Sequence, residues 1–255
     1  GLPNVSALIR GAKIYDPRTT LTWWTENPAL MARHVLLHPQ FGKRTSLSAA
    51  EDARIVAAAN ACDVSTIYTV NGVAQDARAV YAAGIVIPFG TTARDALDDL
   101  VQAMAGQWAY AAGAFYLRAG AYTASVKTLT DADLAVVQRG PDGSTSQQPI
   151  TITTHRARDQ MVNVVSATIW DKEQGYKQTA LTPLKAAALI ARDGAELVQD
   201  LTLPAVGYAP QALHICGILL RDARDPLTVT LPFKLSAYAV ELFDVISLTL
   251  ARYGW

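Results

Sequence analysis

The sequence has 255 residues, of which 51% are hydrophobic and 17% are charged, with 22 basic and 22 acidic side chains. This length suggests one large domain or two small ones, and the apolar fraction suffices for a core and excludes a disordered chain. Because a net charge of zero argues against a protein that neutralises phosphates, we expect no sequence-specific nucleic-acid binding.

The first predicted elements are an extended segment and a well-delimited helix. Residues 5–15 alternate apolar and polar side chains, which is typical of a strand. Trp23 and Trp24 then lead to Asn27, a good N-cap residue that is followed by a proline suited to the first helical position. Apolar residues recur at helical spacing until a second proline, so the pattern predicts a short capped helix over 28–37.

Capping boxes predict the next two helices. Ser48 and Glu51 have the spacing of such a box and begin an alanine-rich segment that runs to about residue 61. Thr92 and Asp95 repeat this spacing, and Gly106 is expected to be the residue that ends the helix after them. Apolar side chains line one face of this third helix: Ala93, Leu97, Leu100, Val101 and Met104.

Strands dominate the rest of the chain. A hairpin is predicted through Ala112-Gly113, and residues 140–149 have the composition of a linker. Helices are predicted after Thr182-Pro183, ending near Gly194, and over 210–224, where Leu213, Cys216, Leu219 and Leu220 face inward. Later strands are predicted at 161–170, 176–181, 198–203, 226–235 and 241–250, the last two as a pair.

These elements predict an α+β fold in two domains. Residues 1–139 form a helix-rich α+β domain, 140–149 a linker, and 150–255 a mainly antiparallel β-barrel or sandwich-like domain that carries one or two helices. The strand at 5–15 belongs to the first domain in sequence, and packing of this strand with the second domain is left as an alternative.

Several segments, in chain order, match the pattern of one protein family. They are Tyr15-Asp16-Pro17-Arg18, Thr25-Glu26-Asn27-Pro28-Ala29, the glycines 106, 113 and 120, Val162-Asn163-Val164-Val165, Gln211-Ala212 and the strand after Asp244. Together they resemble the tail tip attachment proteins of long-tailed phages, the lambda-type host specificity protein J family, and related prophage tail proteins. Phe243 departs from the pattern because the family has a glycine there.

The resemblance implies a structural protein with a fold like that of baseplate hub proteins. It implies self-association as a homotrimer, in a ring at the end of the tail tube, with contacts to other tail tube and tail tip proteins. The ring would surround the passage for DNA, and other parts of the full-length protein would reach the host surface receptor. The expected location is the virion tail tip, assembled in the bacterial cytoplasm.

No residue set predicts catalysis, a cofactor or a metal, so we expect a protein that is not an enzyme. His34 and His38 have helical i, i+4 spacing but lack the glutamate of a metalloprotease motif. The acidic pairs Asp98-Asp99 and Asp131/Asp133 are expected to lie on a polar helix face and in a capped turn. Two alternatives stay open, a tail-associated cell-wall hydrolase and a receptor- or carbohydrate-binding module.

Four residues are candidates for a subunit interface. One of Trp23 and Trp24 is expected to anchor an interface, and the other to pack on the first turns of the helix. Arg156 and Arg158 follow the linker and are read either as an anion or subunit contact or as a solvated turn.

The last two expectations concern the state of the two cysteines and the possibility of a transmembrane segment. Cys62 and Cys216 are expected to be reduced core residues, because both lie in apolar helical patterns. Prolines, glycines and glutamines interrupt the uncharged stretches 100–117 and 201–220, so no transmembrane segment is expected.

Overall fold

The computed structural model describes residues 7, 9–40, 42, 46–70, 73–135, 137–139, 141, 145–147, 150–154, 158–224, 227–251 and 254. The helices in this part of the chain are α1 (Pro28–Leu37), α2 (Ala49–Cys62), α3 (Ala93–Gln102), α4 (Ala187–Asp193) and α5 (Ala209–Asp222). The strands within residues 14–118 are β1 (Ile14–Asp16), β2 (Leu21–Trp23), β3 (Ser65–Thr66), β4 (Thr69–Val70), β5 (Val73–Ala74), β6 (Arg78–Ala79), β7 (Gln107–Ala111) and β8 (Ala114–Arg118). The later strands are β9 (Lys127–Thr130), β10 (Val137–Arg139), β11 (Thr145–Gln147), β12 (Thr151–Thr153), β13 (Val164–Asp171), β14 (Lys177–Ala180), β15 (Leu184–Lys185), β16 (Val198–Leu203), β17 (Thr228–Thr230) and β18 (Ile246–Thr249).

Contacts divide the chain into two compact units, and the predicted α+β class is confirmed. Unit 1 comprises Gly1–Gly120, Val164–Ala186 and Val198–Leu219, and unit 2 comprises Ala121–Asn163, Ala187–Leu197 and Leu220–Trp255. These units do not follow the boundary expected at 140–149. The linker itself lies largely outside the described residues, so its role stays a prediction.

The predicted first helix is confirmed as α1 at both ends. The Asn27 side chain accepts from the first-turn amides, and His38 leaves the helix in an extended conformation. Pro39 causes this ending, because the residue before a proline is disfavoured in the helical region. The strand predicted over 5–15 is shorter: only Ile14–Asp16 is a strand, and most of 1–8 lies outside the described residues.

The core of unit 1 forms where α1 packs against α2 and α3. Glu51 completes the predicted capping box of α2. The predicted apolar face of α3 is confirmed, since its members are at most 7% exposed. Large side chains that are fully buried in this core are Leu30, Ile55, Tyr81, Leu100 and Met104.

Gly106 differs from its predicted role at the end of α3. The left-handed residue there is Ala105, with φ +46. A Cβ on Gly106 would lie 2.4 Å from the Arg118 carbonyl oxygen, and one on Gly120 would lie 2.5 Å from the Ala105 carbonyl oxygen. These glycines are required because two backbones approach closely, not because a helix ends.

Unit 1 also contains a four-stranded sheet built around β13. β14 and β15 pair with β13 in the antiparallel sense, and β16 pairs with it in the parallel sense. α5 follows β16 and buries Gln211, Ala212, Ile215 and Cys216. The prediction that Leu213 faces inward is wrong, since 39% of its surface is exposed and the inward positions belong to Gln211 and Ile215.

Unit 2 contains short strand pairs. β9 pairs with β18 in parallel, β12 pairs with β17 antiparallel, and β10 pairs with β11 antiparallel. The last two strands lie within the ranges predicted for them, and each finds its partner in residues 121–163. The described strands form no closed barrel, because all of them outside the four-stranded sheet around β13 form isolated pairs.

The helix expected directly after Thr182-Pro183 begins later, at Ala187. Leu184–Lys185 instead pairs with Val164 and Val165. The predicted end of this helix, α4, is confirmed, because Gly194 has the left-handed φ of +72 that commonly follows a helix.

Candidate functional site

The two predicted interface tryptophans lie at the entry to α1 in unit 1. Trp23 is the last residue of β2, stands opposite Ile14 in the hairpin and is 51% exposed. Trp24 is partly buried, and the Arg10 guanidinium lies 5.0 Å from the centre of its ring. Trp23 therefore offers more surface to a partner, and the interface role of both residues stays a prediction.

Asn27 does more than cap α1. Its side-chain oxygen accepts from the amides of Ala29 and Leu30 at 3.0 and 3.2 Å. Its side-chain nitrogen donates to the Ala59 carbonyl at 2.9 Å, and only 3% of the residue is exposed. Because α2 carries Ala59, one buried amide both begins α1 and joins it to α2.

The turn before this helix is held by an ion-pair cluster. Arg18 lies 2.8 Å from carboxylate oxygens of both Asp16 and Asp63. The hydrogen bond from Arg18 holds the pKa of Asp16 below its usual value, although burial acts in the opposite direction. The cluster gives the Tyr15-Asp16-Pro17-Arg18 segment a structural role, because it joins the β1–β2 turn to the end of α2.

A cleft of about 340 Å³ opens on unit 1 and was not foreseen from the sequence. Its walls include three aromatic side chains, Trp170, Tyr176 and Tyr208. Residues 82–84 and Gln211 also contribute to the lining. The cleft therefore combines apolar ring faces with hydrogen-bonding groups, which is the usual composition of a binding pocket.

Gln211 holds the wall of this cleft in place. Its Nε2 donates to the carbonyl oxygens of Ala82 and Ala103, both at 2.9 Å, and its Oε1 accepts from the Ala82 amide at 3.2 Å. The residue is 2% exposed. One side chain on α5 therefore binds the backbone of two segments that lie more than one hundred positions earlier in the chain.

Charged groups of both signs surround the cleft. The Arg78 guanidinium stacks on the Tyr208 ring at 3.7 Å, and Lys172 pairs with Glu26 at 3.0 Å. Glu173 adds a second carboxylate to the lining. Because the two signs are balanced, the cleft has no strong preference for an anion or a cation.

Residues 85–90 form a projecting turn that directly follows the cleft-lining residues 82–84 in the chain. Val86 is 85% exposed and Phe89 is fully exposed, whereas Ile85 and Ile87 pack against the core. The periodicity of this segment gave no clear structural assignment, so the exposure of Phe89 was not predicted. A fully exposed phenylalanine is unusual, because burial of such a ring normally stabilises the fold.

The predicted basic candidates belong to unit 2. Arg156 lies outside the described residues. Arg158 is exposed, and its Nη2 lies 3.4 Å from the Asp193 carbonyl oxygen. Hydrogen bonds from Arg224 and Asn163 lower the pKa of Asp193 to about 2. Neither a subunit contact nor an anion site is established for this pair.

Unit 2 also leaves large apolar side chains at its surface. Tyr122 is 96% exposed, and Leu235 and Tyr238 are each 88% exposed. Exposed apolar side chains mark a protein-binding surface where they form a contiguous patch, whereas single ones are common on any protein.

The histidine and acidic pairs that were considered for catalysis contact other side chains of the fold. The rings of His34 and His38 lie 5.4 Å apart, edge to face, and burial lowers the pKa of His34. Asp98 accepts from the Trp108 indole nitrogen at 2.6 Å, and burial raises the pKa of Asp99. No group of three or more His, Cys, Asp or Glu in the described residues is placed to hold a metal ion.

The other acidic pair and the cysteines were predicted correctly. Asp133 accepts from the Thr130 amide at 3.0 Å and so caps the 3-10 turn Asp131–Asp133. Cys62 and Cys216 are free and fully buried. Burial raises the pKa of the Cys62 thiol to about 12 and that of Cys216 to about 11, so both are poor nucleophiles.

Comparison with known protein families gives a match. A family model described as "Putative phage tail protein" matches residues 92–255, which is more than half of the chain. No curated protein matches the chain. Among the described residues, no helix has both the length and the apolar character that a membrane crossing requires.

Proposed function

The chain belongs to this phage tail protein family, and from that premise we propose that it is a structural component of the tail tip or baseplate hub. As a family member it is a tail protein of the virion that associates with other tail components. The finer proposal is that it assembles as a homotrimeric ring at the end of the tail tube, where it supports host attachment and DNA passage.

The observation that carries the proposal is the family match together with the apolar surface of both units. Phe89 in unit 1 and Tyr122 and Tyr238 in unit 2 are 88% exposed or more. Side chains of this type would be covered in an assembly, where aromatic residues supply much of the binding energy. Trp23 is a further candidate for such a contact.

The charge balance supports a ring through which DNA passes. The chain carries 22 basic and 22 acidic residues. A strongly basic lining would bind phosphates and hold the DNA in place, whereas a neutral chain lacks this electrostatic affinity.

We propose further that the protein acts by assembly and not by catalysis. The acidic and histidine pairs in the described residues are engaged in helix capping, indole binding or ring packing. A peptidoglycan or ester hydrolysis assay tests this, and turnover by the purified chain would favour the hydrolase alternative.

Light scattering of the purified chain, with and without the adjoining tail proteins, tests the assembly. The expected result is a mass that corresponds to a complex when the tail proteins are present. A chain that stays monomeric in every mixture would refute the tail tip proposal.

A further inference from the structure

We propose that the unit 1 cleft is a binding site for a neutral saccharide of about one or two sugar rings. This inference goes beyond the proposed function, which requires assembly alone and assigns no ligand to the cleft. It rests on the hydrogen bonds that hold the cleft walls, on the aromatic rings and on the charged side chains of the lining.

The walls of the cleft are held by hydrogen bonds between lining residues. The Lys172 amide donates to the Gly207 carbonyl oxygen at 2.9 Å, which joins the residue after β13 to the segment before α5. The Ala83 amide donates to the Glu26 carbonyl oxygen at 2.7 Å, and Gln211 holds the residue before Ala83. The cleft is therefore formed before a ligand arrives, which lowers the entropy that binding costs.

Trp170 and Tyr176 supply ring faces to the cleft. Tyr176 is 40% exposed and has a left-handed φ of +60. Its amide donates to the Asp171 carbonyl oxygen at 2.7 Å, so the turn after β13 fixes its backbone. A tyrosine rarely adopts this conformation, and backbone strain of this kind is concentrated at binding sites. The C–H faces of a sugar ring are apolar and flat, so they fit against such rings.

The charged side chains of the lining determine the class of ligand. Glu26 and Glu173 would repel an anion, and Arg78 and Lys172 would repel a cation. A purely apolar ligand would remove water from these groups without replacing its hydrogen bonds. A neutral saccharide avoids these costs, because its hydroxyl groups donate to carboxylates and accept from cations.

The ion pair in the lining matches neighbouring hydroxyl groups of a sugar. The Lys172 ammonium nitrogen lies 3.0 Å from a Glu26 carboxylate oxygen, and the two side chains are 53% and 40% exposed. One hydroxyl group can donate to the carboxylate while the next accepts from the ammonium group. Because both side chains are solvated in the empty cleft, they exchange water for ligand hydroxyl groups at a small cost.

The size of the cleft sets the length and the affinity of the ligand. Its volume of about 340 Å³ lies near the lower end of the range for small-molecule sites, roughly 300–1,000 Å³. A mono- or disaccharide makes few contacts in such a space, so we expect a dissociation constant on the order of 1 mM. Several copies in one assembly would bind a repeating polysaccharide more tightly than one copy does.

Isothermal titration calorimetry of the purified chain tests the class of ligand. The neutral probes are maltose, cellobiose, lactose and N,N′-diacetylchitobiose, and the charged probes are glucose 6-phosphate, glucosamine and diglycine. We expect at least one neutral disaccharide to bind, and the charged probes to bind at least about tenfold more weakly. The inference is overturned if no neutral probe binds at ten times the expected dissociation constant, or if a charged probe binds best.

Two variants place the bound saccharide in the cleft. Tyr176→Asn removes the ring but keeps a residue that adopts the left-handed conformation readily, and it should weaken binding by about tenfold. Lys172→Met keeps the length of the side chain but removes its hydrogen bonds, and it should weaken binding by about fivefold. Unchanged binding by either variant would overturn the inference.

The matched control is Tyr110→Thr. This tyrosine is 61% exposed on β7 of the same unit and does not line the cleft, so the variant should bind the saccharide like the wild type. Circular dichroism is expected to show an unchanged fold in all three variants, since each changed side chain is exposed. Saturation-transfer NMR on the wild-type chain needs no variant. Irradiation of aromatic protein protons should reduce the signals of the sugar C–H protons, and no transfer would contradict the stacking on the rings.

The inference and the proposed function can fail separately. If the chain binds a saccharide in the cleft but joins no tail protein, the proposed function fails and the ligand site stands. If the chain joins other tail proteins but binds none of the neutral probes, the ligand site is refuted and the tail assignment stands.

Discussion

Gln211 offers the most direct test of how unit 1 is held together. The substitution Gln211→Leu keeps a side chain of similar size on α5 but removes three hydrogen bonds to the backbone of residues 82 and 103. The residue is 2% exposed, so water does not replace the lost partner.

The expected cost follows from these three contacts. Each hydrogen bond contributes about 1 kcal/mol net, and a buried backbone group left without a partner costs about 1–3 kcal/mol. Leucine recovers part of this through apolar contact, so we expect a loss of roughly 2–5 kcal/mol in the free energy of unfolding. Such a loss is a large fraction of the stability of an ordinary domain.

Urea unfolding followed by tryptophan fluorescence measures this loss. Four of the five tryptophans lie in unit 1, so the signal reports mainly on that unit. The matched control is Gln102→Leu, at an exposed position of α3, which should change the stability by about 0.5 kcal/mol or less. If the two substitutions had the same small effect, the role assigned to Gln211 would be wrong.

Three further predictions concern a turn, a close backbone contact and an ion pair. Ala112 has φ +50 in the two-residue turn between β7 and β8. Because asparagine adopts this left-handed conformation more readily than alanine, Ala112→Asn should raise the free energy of unfolding by about 0.5–1 kcal/mol. A lower free energy of unfolding would contradict the turn assignment. Gly120→Ala places a Cβ 2.7 Å from that of Ala105 and should cost about 1–3 kcal/mol in urea unfolding, while Gly11→Ala, which meets open space, should be nearly neutral. The folded-state pKa of Asp193 is lowered from 3.8 to about 2, so its stabilising effect is present above about pH 4 and is lost as the pH falls towards about 2. Asp193→Asn should therefore flatten the pH dependence of stability in that window, and an unchanged slope would exclude the ion pair as its cause.

Local signals in the sequence predicted the helices of unit 1 well. The cap at Asn27, the capping box at Ser48 and the hairpin at Ala112-Gly113 each involve residues within four positions of one another. Short-range hydrogen bonds of this kind depend on residue type and spacing alone, and both are visible in the sequence.

The strand partners and the cleft could not be predicted in this way. β18 pairs with β9 and β17 pairs with β12, although more than seventy residues separate the partners in the chain. Alternation shows which face of a strand is buried but not which strand lies beside it. Gln211 lies on an apolar face of α5, and its partners are visible only after folding, since they are 129 and 108 positions away.

The requirement for two glycines became clear only from the structure. Gly106 and Gly120 allow two backbone segments to approach closely, which periodicity cannot reveal. Phe243 adopts a left-handed φ of +68. A phenylalanine is strained in this conformation, which favours glycine, and the sequence pattern gives no sign of it.

The central claim is that this protein is part of the tail tip, and immunogold electron microscopy of intact virions tests it most directly. With an antibody raised against the purified chain, we predict label at the end of the tail that lies away from the head. Virions without label, or with label confined to the head, would contradict the claim.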